Sequence, residues 1–320
     1  MDPELVASWH DRREYAFFAG RFGMDAGRVV SSWPKGNVKH WEKLAVDALK
    51  SKFTGGDPKF DMAVSRLTAL LSHLSKAMIK RPRRHSFNGD WLQETEAEHG
   101  NRSFYAILSQ TNPRQQPFVV TSDELTSGTI TDEKNAQHWE VPPAPSPSRN
   151  ADELAQAVAP ILRCCQRAVF VDPHFDPDPY RPRFLNTLRE MLAILWGQNR
   201  GLDVLQAELH ISADKKGESE ILRKCRAHLP GIIPHGRKIS VVIWKSRAGG
   251  EKLHNRYLLT DIGSVGFGVG LDEADEAKKV GHNESDDLFR LSSAQHVKRW
   301  GQYVSAPVFD QACKTIELPE

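Results

Sequence analysis

Lys252–Asp272 reads KLHNRYLLTDIGSVGFGVGLD, and its pattern decides how the C-terminal half is built. Leu253–Thr260 is a run of apolar and β-compatible residues that predicts a strand. Asp261-Ile262-Gly263-Ser264 is turn chemistry, and Val265–Leu271 is expected to return as a second, glycine-rich strand. Residues two apart share a strand face, so His254 and Arg256 are expected to project together. Imidazole beside guanidinium suits phosphate. The ring attacks or shuttles a proton near neutral pH, and the guanidinium fork grips two oxygens. Glycines at 266, 268 and 270 permit close approach of either a phosphate or another strand.

Working outward, the C-terminal half alternates strand and helix. Helices are expected at Ala151–Cys165, Arg183–Trp196 and Glu218–Leu229, and strands at Ala168–Asp172, Leu202–Ile211 and Ile239–Trp244. That order predicts an α/β sandwich. On Leu202–Ile211, Gln206, Glu208 and His210 share one face, a polar stripe that is costly in a covered sheet unless used or paired. His210 is therefore either near the site or a satisfied structural histidine. His174 follows a strand end, where α/β ligands collect, and is otherwise a turn residue between prolines.

The spacing His254-x-Arg256-x4-Asp261-x6-Gly268 resembles the H-x-K-x4-D-x6-G-S-x-N motif of the phospholipase D superfamily. Arg256 stands where that motif has lysine, and Val269 and Leu271 stand where it has serine and asparagine. With Gly268-Val269-Gly270-Leu271-Asp272 included, the stretch is closer to the phospholipase-D-like domain C-terminal to MIT (microtubule-interacting and transport) domains. The resemblance covers roughly residues 150–310 and implies half of a phospholipase D fold.

The resemblance implies a site with His254, Arg256 and Asp261 as catalytic residues, supported by Asp272, Glu208, His210, His174 and Asp286. In the superfamily, one histidine attacks phosphorus, a second protonates the leaving oxygen, and cations hold the other oxygens without metal or cofactor. One motif is present, so the second histidine must come from a homodimer or from a stand-in such as His174 or His210. His282, on a polar loop, is read as solvated. Prokaryotic proteins of this architecture resemble components of mobile-element or phage-defence loci, which implies nucleic acid as substrate and a partner protein from the same operon. The eukaryotic MIT-linked domain binds membrane lipid and is not a catalyst. The alternative is therefore an inactive module that binds phosphate-containing ligands or a partner protein.

VPPAPSPSRN at 141–150 is expected to be a proline–serine linker without a core, separating residues 1–140 from 151–320. The N-terminal part is expected to be mainly helical: Asn37–Lys52, Phe60–Ile79 and Trp91–His99, with short strands at Ser103–Leu108 and Phe118–Thr121. The long second helix ends in Lys80-Arg81-Pro82-Arg83-Arg84-His85. Cations suit a helix C-terminus, and Lys80, Arg81, Arg83 and Arg84 are also the expected nucleic-acid contacts. The scattered tryptophans are read as core or interface anchors.

Composition bounds the rest. A net charge of +2 does not by itself announce a polyanion partner, so any basic surface must be local. The 4 cysteines lack metal-ligand spacing and are expected to be reduced thiols of a cytoplasmic protein. Met1-Asp2-Pro3-Glu4 lacks a secretory apolar core, and no apolar run is long enough to span a bilayer.

Overall fold

The computed structural model describes residues 1–11, 20–54, 57–83, 90–121, 124, 145–197, 206–214, 217–274 and 284–319. The chain divides into two compact units, Met1–Val141 and Pro142–Glu320. Arg84, His282 and positions 141–144 of the expected linker lie outside the described residues.

In the first unit, helix α1 (Pro3–Ser8) opens on Asp2, whose carboxylate accepts from the Glu4 amide at 2.9 Å. β1 (Val30–Ser31) precedes α2 (Val38–Lys50), where Asn37 caps the His40 amide. Trp41, Ala45 and Leu49 recur every fourth residue on α2 and are buried in one cluster with Leu67, Leu70 and Leu74 of α3 (Phe60–Leu74). The helix expected to reach Ile79 stops at Leu74. A 3-10 turn occupies Ser75–Ala77, and Met78–Ile79 becomes β2, parallel to β1. A strand partner far away in sequence overrides the helical periodicity there. α4 (Trp91–Asn101) starts at the Asp90 cap, and β3 (Ile107–Ser109) pairs in parallel with β4 (Val119–Thr121).

The second unit is α/β with a mixed sheet. In chain order it contains α5 (Ala151–Ala157), α6 (Ala159–Cys164), β5 (Arg167–Val171), α7 (Arg183–Leu195), β6 (Gln206–Ser212), α8 (Glu218–His228) and β7 (Ile239–Lys245). There follow β8 (Arg256–Thr260), β9 (Gly263–Phe267), β10 (Leu288–Arg290), α9 (Ser293–Trp300) with a π turn over Gly301–Ser305, β11 (Asp310–Gln311) and β12 (Ile316–Leu318). The spatial order is β10-β9-β8-β5-β6-β7, and β11 and β12 both pair with β7. β5, β6 and β7 are parallel, whereas β8 runs antiparallel to β5 and leads the hairpin with β9.

Central strands covered on both faces are apolar at nearly every position. Ala168 and Phe170 of β5 join the cluster under α5–α8, while Val169 and Val171 join Tyr257, Leu259, Tyr303 and Phe309 on the opposite face. The register places Val171 opposite both His210 and Tyr257.

Two expectations change here. Ala151–Cys165 is two helices, because Pro160 has no N–H to continue the first ladder and the chain restarts after Val158. Pro145–Arg149 is not a coreless linker. The Leu288 amide donates to the Pro145 carbonyl (3.0 Å), Asp286 to Pro147 (3.1 Å), and Arg149 to the Glu284 carbonyl (2.9 Å). Proline carbonyls still accept, so the segment lies antiparallel along Glu284–Leu288 through the Ser148–Ser285 bridge.

Candidate active site

The carboxyl edge of β5–β7 is where an α/β sheet leaves room for a ligand. β5 ends at Val171, and the next residue, Asp172, is fully buried. One carboxylate oxygen accepts from the His174 amide at 2.8 Å, and the other from the Leu271 amide at 3.0 Å. Burial pushes this carboxyl up to about 6, helped by the charge of Asp272 and opposed by those amides and the Arg256 guanidinium. Asp172 was not singled out by motif. The signal available was a carboxylate closing the buried run Ala168-Val169-Phe170-Val171.

Gly268–Leu271, expected to continue a strand, is instead a loop organised by carboxylates. β9 stops at Phe267. Asp286, 1% exposed, accepts from the Val269 amide at 2.9 Å and the Gly270 amide at 3.4 Å. A Cβ at Gly268 would stand 2.9 Å from the Asp286 carboxylate, and one at Gly270 would stand 2.8 Å from that of Asp272. Glycine is required at both positions by close approach. The Val269, Gly270 and Leu271 amides are committed to protein carboxylates, so the donors left uncommitted at this edge are on side chains.

Asp272 is held by two arginines that no motif predicted. Arg149 donates to one carboxylate oxygen at 2.9 Å while also reaching Glu284 at 3.1 Å, and Arg183 approaches the other oxygen at 3.3 Å. Arg149 arrives from the edge segment and Arg183 from the first turn of α7. Asp272 therefore braces the loop end.

His254 and Arg256 sit at the same edge, but not as adjacent teeth of one strand. β8 begins at Arg256 because its ladder partners end there: Phe267 lies opposite Arg256, and Val171 opposite Tyr257. The lead-in is fixed by Leu253, which is buried and donates its amide to the Ser246 hydroxyl at 3.4 Å. His254 is exposed, and no hydrogen bond from the described residues holds its ring. Arg256 is half-buried and lies beside Asp172, and its buried Nε has no hydrogen-bond partner among the described residues. Among the described residues, then, the His254 ring is unbonded and the Arg256 guanidinium retains an uncommitted donor.

Asp261 is a correction. It lies five residues beyond Arg256, about 17 Å along the strand at the usual rise, at the opposite end of β8. Its carboxylate accepts from the Gln166 and Arg167 amides at 2.7 and 3.0 Å, fixing the start of β5. The structure does not bring Asp261 together with His254.

His210 and Glu208 are also elsewhere. They lie on the β6 face that packs toward Tyr303, whereas Arg256 shares the opposite face with Leu258. The Trp244 indole N–H, which can only donate, bonds His210 Nδ1 at 3.0 Å. The proton is therefore on Nε2, which donates to Glu208 at 3.1 Å. Burial holds the His210 ring below the usual histidine range, against the raising influence of Glu208. Burial alone would raise Glu208, but bonds from His210 and Arg167 bring its carboxyl below the ordinary value. Arg167 completes the chain with Glu208, and every polar atom of His210 is matched. Among the stand-in histidines in the described residues, His174 is the one at the Asp172 edge.

The basic knot divides. Arg81 is 4% exposed; it stacks over Phe104 at 3.7 Å and donates to the carbonyls of Arg102 and Ser103. It is not a nucleic-acid contact, because a guanidinium satisfying the carbonyls after α4 is withdrawn from solvent. Lys80 is exposed, and the half-buried Arg83 donates its amide to the Pro34 carbonyl.

No protein-family model matches the chain, and no curated protein matches it. No cluster of metal-ligating side chains occurs among the described residues, and none of their helices is long and apolar enough to cross a membrane.

Proposed function

We propose that the Pro142–Glu320 unit is a phospholipase D-like domain and that it acts on nucleic acid as a metal-independent phosphodiesterase. One observation carries the reading. His254 stands exposed at the carboxyl edge of the parallel strands, unpartnered among the described residues, two residues before Arg256, whose Nε they also leave uncommitted. In this reading the His254 ring attacks phosphorus, the bond to the leaving oxygen breaks, and Arg256 holds a non-bridging oxygen. The leaving oxygen takes its proton from His174 or from His254 of a second copy. Water then displaces the histidine from phosphorus and regenerates the ring. Asp172, Asp272 and Asp286 position this machinery through the loops they hold and do not touch the reacting atoms.

The alternative is a recognition module that binds phosphodiesters without cleaving them. It is favoured by the closure of His210, which removes one stand-in acid, and by the substitution of arginine for the motif lysine. In the defence setting implied by the resemblance, either form works with a partner protein encoded nearby.

The test is a nuclease panel in EDTA, with single- and double-stranded DNA and RNA, wild type beside His254→Ala. Cleavage by wild type alone supports the phosphodiesterase. Binding without cleavage, unchanged by EDTA and weakened in Arg256→Ala, supports the recognition module.

A further inference from the structure

The segment between β5 and α7 carries exposed groups that the chemistry above does not use. Both of its ends are fastened to the site: the His174 amide to Asp172, and the Arg183 guanidinium to Asp272 at 3.3 Å. Between them, Tyr180 is 93% exposed, the most exposed large apolar side chain among the described residues, and no hydrogen bond or ring contact from them engages its ring. Arg181 follows it, also exposed and without an acidic partner there.

The segment is stiff. Pro173, Pro177, Pro179 and Pro182 restrict its backbone. Asp178 turns its carboxylate back onto the Tyr180 amide at 2.9 Å, and the Arg183 amide bonds the Arg181 carbonyl at 2.8 Å. The remaining acid, Asp176, is paired with Lys224 at 2.9 Å. An aromatic ring held in water by a proline-braced turn costs little entropy to use. Tyr180 lies three residues from Arg183, so their Cα atoms are at most about 11 Å apart. The ring is thereby tethered close to the Asp272 brace of the glycine loop.

We propose that Tyr180 and Arg181 form a stacking platform for an unpaired base of single-stranded nucleic acid, with Arg181 on the adjoining phosphate. The inference deepens the nucleic-acid reading above and rests on it. Every base offers a π face, so the platform tolerates sequence, whereas in a duplex that face is already covered.

The experiment is fluorescence anisotropy in EDTA with a labelled oligothymidylate and a duplex of equal length, using the full chain. Wild type is expected to prefer the single strand. Tyr180→Ala should weaken single-strand binding on the order of ten-fold, Tyr180→Phe should retain it, and duplex binding should not change. Arg181→Ala should weaken single-strand binding and reduce its salt dependence. Circular dichroism confirms that each surface variant is folded. Wild-type binding that is indifferent to Tyr180→Ala overturns the platform and leaves the phosphodiester site standing. Wild type that binds neither strand overturns the nucleic-acid reading and the platform with it.

Discussion

The second unit contains two arrangements of histidine, carboxylate and arginine, and they have opposite characters. On one face of β6, Trp244, His210, Glu208 and Arg167 form a closed chain in which His210 has a partner for each ring nitrogen. At the carboxyl edge, His254 has no partner among the described residues, Arg256 keeps a buried Nε unbonded by them, and Asp172 holds a carboxyl pushed up to about 6. Residue types do not distinguish the two. The completeness of hydrogen bonding does: a closed network specifies packing, and an open one is available to a ligand.

The sharpest way to break this comparison is to delete each histidine. His254→Ala is expected to lower phosphodiester turnover by at least about a thousand-fold with the melting temperature unchanged. A cleavage assay in EDTA paired with a thermal melt reads both quantities, and turnover equal to wild type would remove His254 from the chemistry. His210→Ala should do the reverse. It strands the Trp244 N–H and the Glu208 carboxylate in the core, costing roughly 3 kcal/mol of stability, and urea unfolding measures that loss.

The two regions also predict opposed pH slopes. Asp172 has its folded value raised from 3.8 to about 6. The neutral form is favoured by the fold, so its contribution is greatest below about 4 and is lost as pH rises through about 6, a span of roughly 3 kcal/mol. Asp172→Asn should flatten that limb in urea titrations at a series of pH values. His210 has its folded value lowered from 6.5, so its contribution is present above that pH and is lost as pH falls below it. An acid limb unaltered in His210→Gln would count against the neutral, Nε2-protonated assignment.

A smaller effect separates Arg81 from Lys80. Arg81→Ala should destabilise the first unit by about 2 kcal/mol, because carbonyls after α4 lose their donor. Lys80→Ala should leave stability within about 0.5 kcal/mol. If Arg81→Ala instead reduced the salt dependence of nucleic-acid binding at unchanged stability, the buried description of Arg81 would fail.

Much of the second unit was legible because its strands and helices obey simple periods. The apolar runs at Ala168–Val171 and Ile239–Trp244, the alternation of Leu209 and His210, and the hairpin turn at Asp261-Ile262 were readable from local pattern. The misreadings share one cause, which is that ladder partners lie elsewhere in the chain. Leu253–Asn255 looks like strand, but Val171 and Phe267 end the pairing at Tyr257 and Arg256. Gly268–Leu271 looks like strand, but Asp286 and Asp172 take its amides. Met78–Ile79 fits a helical stripe, but Val30–Ser31 pairs with it.

The candidate site was legible in part. His254 and Arg256 were found by spacing, and the structure sets both at the strand-end edge. Asp261 shared their motif but belongs to the other end of the hairpin. Asp172, Arg149 and Arg183 were missed because each reaches the loop from a separate part of the chain.

Sequence by itself determined the α/β class, the course of the central strands and the residue types available for phosphate chemistry, because periodicity and side-chain chemistry are local properties. Tertiary structure alone decided that His210 is closed and His254 open, that Arg81 is structural, and that carboxylates organise the glycine loop. Those outcomes depend on which distant donor meets which acceptor, and in a buried sheet each such match is too costly to leave unmade.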